Sequence, residues 1–533
     1  MFAKLKSYEK LKNLAENPID LTNKDIFTLD RIKKMQVTSP ALTTPLIDLD
    51  GRNNANLKLL YATERISEDI IDALFELSKE TNAISKMKDM QDGKIVNSLK
   101  KCVGENRAVL HTAMRDFFDK KNESKEAKLA SDLAYEELEK LQNFLEKINK
   151  DNKFEIIVQI GIGGSFLGPK AIATALKKYT LKNRKFYFIS NVDPDDSFQI
   201  LESIDLSKTL FVSVSKSGTT LETLANEAIV KDFLSKKGLN PKDHMVSVTG
   251  KNSPMDDPTK YLESFYIWDY VGGRYSVSSM VGGVIIGFCF GIKIFKEFLK
   301  GASYMDKVAL REGKDNLPLF SALLGIWNRN FLGYSNAAII PYSQALLYFP
   351  MHLQQLDMES NGKSVNKNCE IISYKTGPII FGDIGTNAQH SFFQLLHQGT
   401  DIVPIEFIGF KKSQYEKDLK VKKTLSQEKL LSNMVAQSIA LAKGQKNENP
   451  NKNFSGNRPN HILLANQLDP FTLGALLSYC EHKIAFQGFV WDINSFDQEG
   501  VQLGKVLANK VLDLFAKKEV DFDIGKEYLK LLK

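Results

Sequence analysis

The fold is decided by the stretch from Lys153 to Thr223, which reads KFEIIVQIGIGGSFLGPKAIATALKKYTLKNRKFYFISNVDPDDSFQILESIDLSKTLFVSVSKSGTTLET. It opens with an apolar run, Glu155–Ile160, whose shortness and β-branched residues predict a buried parallel strand. A glycine-rich turn and a helical segment follow, ending near Lys178. A second apolar run, Thr209–Val214, leads into a polar turn and another helix. Two such strand–turn–helix units close together indicate an α/β fold with a parallel sheet.

Both turns are candidate anion sites, because backbone N–H groups at a helix start can face a negative charge. The turn Ser215–Thr220 is the better phosphate site, since it holds four hydroxyls and a lysine. The turn Gly161–Ser165 resembles part of a dinucleotide fingerprint, although Ser165 stands near the place of the third glycine. The spacing of a Walker A loop is absent. Ordinary helix capping would explain either turn alone, whereas the two together favour a bound phosphomonoester.

Composition limits the class of protein. With 533 residues the chain can bury two or more cores, and 43% hydrophobic and 25% charged residues are typical of a globular protein. The net charge of +7 is modest and compatible with anionic small substrates. We find no basic arm with interleaved aromatic residues and no zinc-finger or helix-turn-helix spacing, so the sequence argues against nucleic-acid binding.

The cysteines and the N-terminus favour a cytoplasmic protein. No CxxC pair occurs, so we expect free thiols in a reducing compartment rather than a disulfide framework. The first twelve residues contain no apolar core of a signal peptide. The most membrane-like run, Met280–Phe290, is too short to span a bilayer and predicts a buried helix instead. The cysteines are Cys102, Cys289, Cys369 and Cys480.

The order of apolar runs and helical segments predicts two successive α/β sandwiches. We predict an N-terminal extension over 1–119 that packs on the second domain, a first domain over 120–290, a second over 291–515 and a helical tail over 516–533. Residues 1 to about 50 are expected to be polar and irregular. Longer helices are predicted over Ser67–Lys86, Ala127–Lys150 and Met280–Leu299. The further predicted strands are Lys185–Ser190, Leu210–Val214, Met245–Val248, Ser264–Ile267, Asn336–Ile340, Pro378–Phe381 and Asp401–Ile408.

Four further polar stretches lie in apolar surroundings. They place Arg274 after two glycines, Glu359 at the end of an apolar helix, His390 near a helix start, and polar groups over Ser495–Lys505. A surface arginine, a solvated helix end and a structural histidine are the ordinary interpretations of these residues. No metal-ligand spacing such as HExxH occurs. An arginine, a carboxylate, a histidine and a lysine beside a phosphate cradle suit proton transfer next to the carbonyl of a sugar phosphate.

Taken in order, these motifs closely resemble those of the glucose-6-phosphate isomerase family. The resemblance implies two sugar-isomerase (SIS) domains, each an αβα sandwich with a largely parallel sheet, together with helical N- and C-terminal extensions. It also implies a cytoplasmic homodimer that needs no metal or cofactor. The implied reaction is the reversible isomerisation of glucose 6-phosphate and fructose 6-phosphate through a cis-enediol(ate), in glycolysis and gluconeogenesis. The motifs are Gly161–Ser165, Ser215–Thr223, Val271–Ser276, Gln355–Lys363, Gly385–Thr400 and Ser495–Lys505.

The resemblance also implies a role for each matching residue. Glu359 is similar to the base that moves the proton between C1 and C2, and Arg274 to the residue that stabilises the enediolate. His390 and Lys505 are similar to ring-opening residues, and in this family the histidine comes from the partner subunit. Lys216 is expected to contact phosphate only through its backbone N–H. The residues that match substrate contacts are Gly164, Ser165, Ser215, Lys216, Ser217, Thr220, Gln355 and Gln498.

Some positions depart from the family pattern, and three other classes of protein stay open. Phe166 stands where aspartate is usual, Ser217-Gly218 replaces Thr-Phe, Leu356 replaces glycine, and Glu499 and Gln502 replace tryptophan and glutamate. None of these removes a catalytic group. The alternatives are another SIS enzyme such as a phosphomannose or glucosamine-6-phosphate isomerase, a non-catalytic sugar-phosphate sensor, and a nicotinamide dehydrogenase.

Overall fold

The computed structural model describes residues 2–42, 55–118 and 124–532. They fall into two units, the first ending at Ser495 and the second beginning at Phe496. The predicted domain boundary between 119 and 120 lies outside the described residues. The strands are β1 (Gln36–Thr38), β2 (Lys58–Leu60), β3 (Ile156–Ile160), β4 (Lys185–Ile189), β5 (Thr209–Ser215), β6 (Met245–Thr249), β7 (Glu263–Tyr266), β8 (Asn336–Pro341), β9 (Ile379–Phe381), β10 (Ile405–Lys412) and β11 (Asn460–Gln467).

The helices surround these strands and also form the ends of the chain. They are α1 (Lys6–Ala15), α2 (Leu29–Lys34), α3 (Glu68–Glu80), α4 (Ala83–Gln91), α5 (Lys125–Lys150), α6 (Leu167–Ala175), α7 (Pro194–Ser203), α8 (Leu221–Lys236), α9 (Met280–Phe290), α10 (Ile292–Val308), α11 (Leu317–Ile326), α12 (Phe349–Gln354), α13 (Gly385–Gln389), α14 (Phe393–Gln398), α15 (Ser426–Lys443), α16 (Pro470–Trp491), α17 (Gln502–Phe515) and α18 (Asp523–Leu531). The α/β fold with helical extensions, as expected from the sequence, is confirmed.

The first sheet contains five parallel strands in the order β4-β3-β5-β6-β7. Every residue of β3 and β5 is buried, as expected for central strands covered by helices on both faces. The register places Ile160, the last residue of β3, opposite Ser213 of β5. The turns that follow these two strands therefore begin side by side at one edge of the sheet.

The second sheet has six strands in the order β1-β2-β11-β10-β8-β9. Strands β11, β10, β8 and β9 are parallel, whereas β2 runs antiparallel to β11 and β1 antiparallel to β2. The sequence did not predict β11, whose polar ends and histidine interrupt the apolar run. The expectation of an irregular N-terminus is also wrong for the described part, because α1 buries Leu11 and β1 joins the sheet through β2.

Among the described residues, one helical stretch is long and apolar enough to cross a membrane, Gly273–Phe290, and 94% of it is buried within the protein. Length and composition alone do not separate a core helix from a spanning one. Every residue of α9 within this stretch is buried. The single helix predicted from Met280 to Leu299 is in fact two helices, because Gly291 has a φ of +90° between α9 and α10.

Two of the cysteines contradict the expectation of free thiols. Cys102 and Cys369 form a disulfide across 267 residues, with their Cα atoms 6.2 Å apart. Cys289 and Cys480 are free and buried. Sequence spacing cannot reveal such a pairing, because folding alone brings these two distant loops together.

Candidate active site

The two polar turns predicted as anion sites lie together at the carboxyl edge of the first sheet. Gly161–Ser165 follows β3, Ser215–Thr220 overlaps the end of β5, and these strands are neighbours. Ligands of open α/β sheets bind at this edge, where the strand order reverses. Here the chain passes from β3 to β4 on one side and then to β5 on the other.

The turn Ser215–Thr220 is held by its own hydroxyl groups. The hydroxyl oxygens of Ser215 and Thr220 lie 2.8 Å apart, and the Ser217 hydroxyl accepts a hydrogen bond from the backbone N–H of Thr219 at 3.2 Å. Gly218 has a φ of +69°, and an added Cβ would meet Ser253 Oγ at 2.9 Å. Glycine is therefore required at this position, where the family pattern has a larger residue. The turn presents hydroxyls and N–H groups at the start of α8, a suitable environment for phosphate.

The Lys216 side chain points away from this phosphate turn. Its ammonium donates to the backbone carbonyls of Asp269 at 3.3 Å and Val271 at 3.1 Å. Burial, followed by the nearby charge of Arg107, lowers the pKa of Lys216. The side chain thus ties the turn to the segment that leads into Arg274, which agrees with a phosphate contact through the main chain only.

A close approach of two glycine turns brings Arg274 to the same edge. A Cβ on Gly164 would lie 2.2 Å from the carbonyl carbon of Gly273, so the two backbones touch. A Cβ on Gly163, whose φ is +56°, would lie 3.3 Å from Nε2 of Gln355. The turn Gly161–Ser165 therefore lies next to the segment that carries Arg274 and the segment that carries Glu359. Ser165 itself is half-buried at the end of this turn.

The Arg274 guanidinium is buried and held by several neighbours. Its Nε donates to the Ser360 hydroxyl at 2.7 Å, and its Nη2 donates to the Ser495 carbonyl at 2.7 Å. Its Nη1 lies 3.4 Å from Oε2 of Glu359. Arg274 is 2% exposed, whereas the Glu359 side chain is 23% exposed. The carboxylate therefore reaches solvent and ligands while a fixed positive charge stands behind it.

Glu359 ends a π-helical turn, Gln355–Glu359, that continues α12. Such turns interrupt regular helices and occur often at functional sites. The Gln355 amide donates to Oε2 of Glu359 at 3.0 Å. Glu359 therefore lies between an amide and a guanidinium. This arrangement can orient a carboxylate for proton transfer and stabilise an adjacent oxyanion.

Of the three remaining predicted site residues, one lies in the first unit and two lie in the second. His390 is exposed directly after α13, and none of its contacts among the described residues joins it to Arg274 or Glu359. Gln498 and Lys505 belong to the second unit. In that unit Lys505 is exposed on α17, which packs against α18. The roles of these three residues stay predictions.

Two residues beside the expected ones were missed from the sequence. Ser360 follows Glu359 directly, and Tyr275 follows Arg274. The Tyr275 and Ser360 hydroxyl oxygens are 3.0 Å apart, and both side chains are buried. Burial raises the pKa of Tyr275 to about 12, so it stays a neutral donor. Their positions in the quoted motifs were the only available signal, because nothing in a sequence shows which hydroxyl meets the arginine.

Nearly the whole chain is similar to proteins of a known family. The family model described as phosphoglucose isomerase matches residues 60–527. Glucose-6-phosphate isomerase of Protochlamydia amoebophila is 52% identical over 531 residues, which cover 98% of this chain and 96% of that protein. The enzyme of that name from Desulfotalea psychrophila is 49% identical, over 96% of this chain and 95% of that one. The crystal structure of a glucose-6-phosphate isomerase from Chlamydia trachomatis superposes with a TM-score of 0.94 at 47% identity, covering 100% of this chain and 99% of that one.

Proposed function

This chain belongs to the phosphoglucose isomerase family, and we propose how its site interconverts glucose 6-phosphate and fructose 6-phosphate. The family match over nearly the whole chain favours this activity over a sensor or a dehydrogenase. One observation supports the mechanism most directly: the Glu359 carboxylate lies 3.4 Å from the buried Arg274 guanidinium, at the sheet edge that carries the turn Ser215–Thr220.

Proton transfer is assigned to Glu359. The carboxylate removes the proton from C2 of the open-chain aldose and returns it to C1, so an enediolate forms between the two steps. Positioned general bases of this kind contribute about 10²- to 10⁴-fold to the rate. Arg274 supplies a fixed positive charge beside the oxygen on which negative charge develops, and its burial strengthens that interaction. Side chains alone can carry out this proton transfer.

The phosphate group is assigned to the polar turn. Ser215, Ser217 and Thr220 bind its oxygens through hydroxyls, and Lys216 does so through its N–H. Gly164, Ser165, Gln355 and Gln498 contact the rest of the sugar. Gripping the distant phosphate fixes C1 and C2 against the base, because binding energy from a remote group orients the reacting one.

Ring opening is assigned to His390 and Lys505, with the histidine supplied by the partner subunit of a homodimer. The exposure of His390 and its lack of contact with Glu359 in its own chain support a role across an interface.

We also propose a cytoplasmic location. The domain limits stay as predicted: an extension over 1–119, SIS domains over 120–290 and 291–515, and a tail over 516–533.

The base assignment is tested by Glu359→Gln. We expect loss of hydrogen exchange between solvent and C2 of the substrate, with binding of a non-reacting sugar phosphate largely retained. Asp357→Asn is a matched control in the same π-helical turn. Asp357 is buried, and desolvation raises its pKa to about 7, so an amide resembles its protonated form and activity should persist. Full turnover by Glu359→Gln would overturn the assignment.

The partner assignment is tested by mixing subunits of two inactive variants, Glu359→Gln and His390→Asn. If the histidine crosses the interface, each mixed dimer has one site with both changes and one intact site. Random mixing should then restore about a quarter of wild-type activity. If both residues act within one chain, mixed dimers verified by mass spectrometry stay inactive, and the proposal is wrong.

A further inference from the structure

We infer that the second sheet carries its own pocket for an organic phosphate, separate from the site around Glu359. A cavity of about 780 Å³ opens at the carboxyl ends of β8 and β10. Small-molecule sites in proteins span roughly 300–1,000 Å³, so this cavity is large enough for a metabolite. It is lined by Tyr342 and Ser343 after β8, and by Lys412 and Ser413 at the end of β10.

The topology puts this cavity at the place that corresponds to the first site. In the first sheet β3 has β4 on one side and β5 on the other, and in the second sheet β8 likewise lies between β9 and β10. A short 3₁₀ turn follows the strand in both sheets, Gly163–Ser165 after β3 and Gln344–Leu346 after β8. The order of strands thus reverses at the carboxyl ends of β8 and β10, where open α/β sheets bind ligands.

Each of two helices, or the segment that follows it, contributes residues to the site at the start of the other helix. Helices α6 and α12 pack against each other. The segment after α12, Gln355–Glu359, supplies side chains to the turn that precedes α6. In return, Lys170 on α6 and Lys177 and Lys178 just after it line the cavity beside the turn that precedes α12. The segment after α12 brings a carboxylate, Glu359, to the first site. Helix α6 and the residues after it bring lysines to the second.

The charge of the cavity favours an anion. Its lining holds Lys170, Lys177, Lys178 and Lys412, against a single acid, Asp196. The Asp196 carboxylate already accepts hydrogen bonds from two backbone N–H groups. Within the described ranges none of the four lysines forms an ion pair with a carboxylate. Four ammonium groups against one occupied carboxylate create a positive potential that attracts phosphate.

A buried hydroxyl and exposed rings refine the class of ligand. Tyr342 is 1% exposed, and its hydroxyl has no hydrogen-bond partner among the residues described. A bound group at the cavity could supply the missing hydrogen bond. The Lys170 ammonium lies 4.4 Å from the centre of the Tyr348 ring, and Tyr187 and Phe410 add further aromatic surface. Rings beside cations suit a phosphate attached to a flat aromatic body, such as a nucleotide.

The experiment measures AMP binding by calorimetry while saturating fructose 6-phosphate occupies the first site. We expect one additional saturable site per chain. Lys412→Gln and Tyr342→Phe should each weaken AMP binding by about tenfold, without changing kcat or KM for isomerisation. Lys411→Gln is the matched control, because that neighbouring lysine does not line the cavity. Ribose 5-phosphate, which lacks the flat base, should bind more weakly than AMP in the same titration.

The proposal fails if fructose 6-phosphate displaces AMP one for one, since both would then share the first site. It also fails if neither AMP nor ribose 5-phosphate binds saturably, or if Lys411→Gln and Lys412→Gln behave alike. Thr220→Val should weaken sugar-phosphate binding at the first site and leave AMP binding intact. Because these are binding measurements, their outcome does not depend on the assigned roles of Glu359 and His390.

Discussion

Replacing Ser360 with alanine removes the group that holds the buried guanidinium next to Glu359, the proposed base. The Ser360 hydroxyl accepts the Arg274 Nε–H at 2.7 Å and lies 3.0 Å from the Tyr275 hydroxyl oxygen. The Ser360 and Arg274 side chains are at most 2% exposed, so no bulk water can replace the lost partner. The guanidinium would keep its bond to the Ser495 carbonyl but lose the one that fixes its Nε beside Glu359.

The expected magnitude follows from the type of bond. A hydrogen bond to a charged group is worth about 1.5–3 kcal/mol. At 1.36 kcal/mol for each tenfold change in rate, kcat should fall by about 10- to 150-fold. KM should change little, because the proposed phosphate site is the turn Ser215–Thr220, whereas the Ser360 hydroxyl bonds to Arg274 and Tyr275. The assay couples fructose 6-phosphate turnover to detection of glucose 6-phosphate, with thermal unfolding measured in parallel.

Two variants separate positioning from packing. Ser360→Cys keeps nearly the same volume but is a weak acceptor, so its kcat should fall almost as far as that of Ser360→Ala. Tyr275→Phe removes the neutral bond at 3.0 Å, worth about 0.5–1.5 kcal/mol, and should lower kcat by about tenfold at most. A Ser360→Ala enzyme with wild-type kcat, or one that loses only substrate affinity, would refute the positioning of Arg274 by this hydroxyl.

Three more predictions concern other parts of the chain. Cys102→Ser should lower the free energy of unfolding by about 2–5 kcal/mol, and a reductant should destabilise the wild type but not this variant in denaturant titrations. Lys216→Ala should reduce kcat/KM less than Thr220→Val, because the lysine side chain donates to backbone carbonyls and not to the proposed phosphate site. A larger loss for Lys216→Ala would contradict the proposal that Lys216 contacts phosphate only through its backbone N–H. His461 is buried against Glu64 and Glu406, whose hydrogen bonds raise its pKa to about 9 despite desolvation. The stabilisation from its charge is complete below the unfolded pKa of about 6.5 and is lost as pH rises through 9. The difference in unfolding free energy between wild type and His461→Gln should therefore shrink over that interval. Denaturant unfolding measured at a series of pH values checks this.

The sequence predicted those strands and helices that are recognisable from the apolar pattern of a few neighbouring residues. The apolar runs at β3, β5 and β6 have both faces buried, so hydrophobicity alone reveals them. The helix Ala127–Lys150 was placed within two residues of α5, because its apolar positions repeat with helical spacing. Where the hydrophobic pattern is weak, the predicted helix limits are wrong. The helix predicted over Ser67–Lys86 is broken at Asn82, whose φ of +53° no local rule required.

The sequence by itself determined that two strand–turn–helix halves follow one another, and its hydroxyl-rich turn and ordered motifs identified the family. Only the tertiary structure decided that Arg274 meets Ser360 and Glu359, that Cys102 pairs with Cys369, and that β2 joins β11. The physical reason is the range of the interactions. Periodicity and turn chemistry act over a few residues, whereas these contacts join segments that only close packing of the two sheets and their helices brings together.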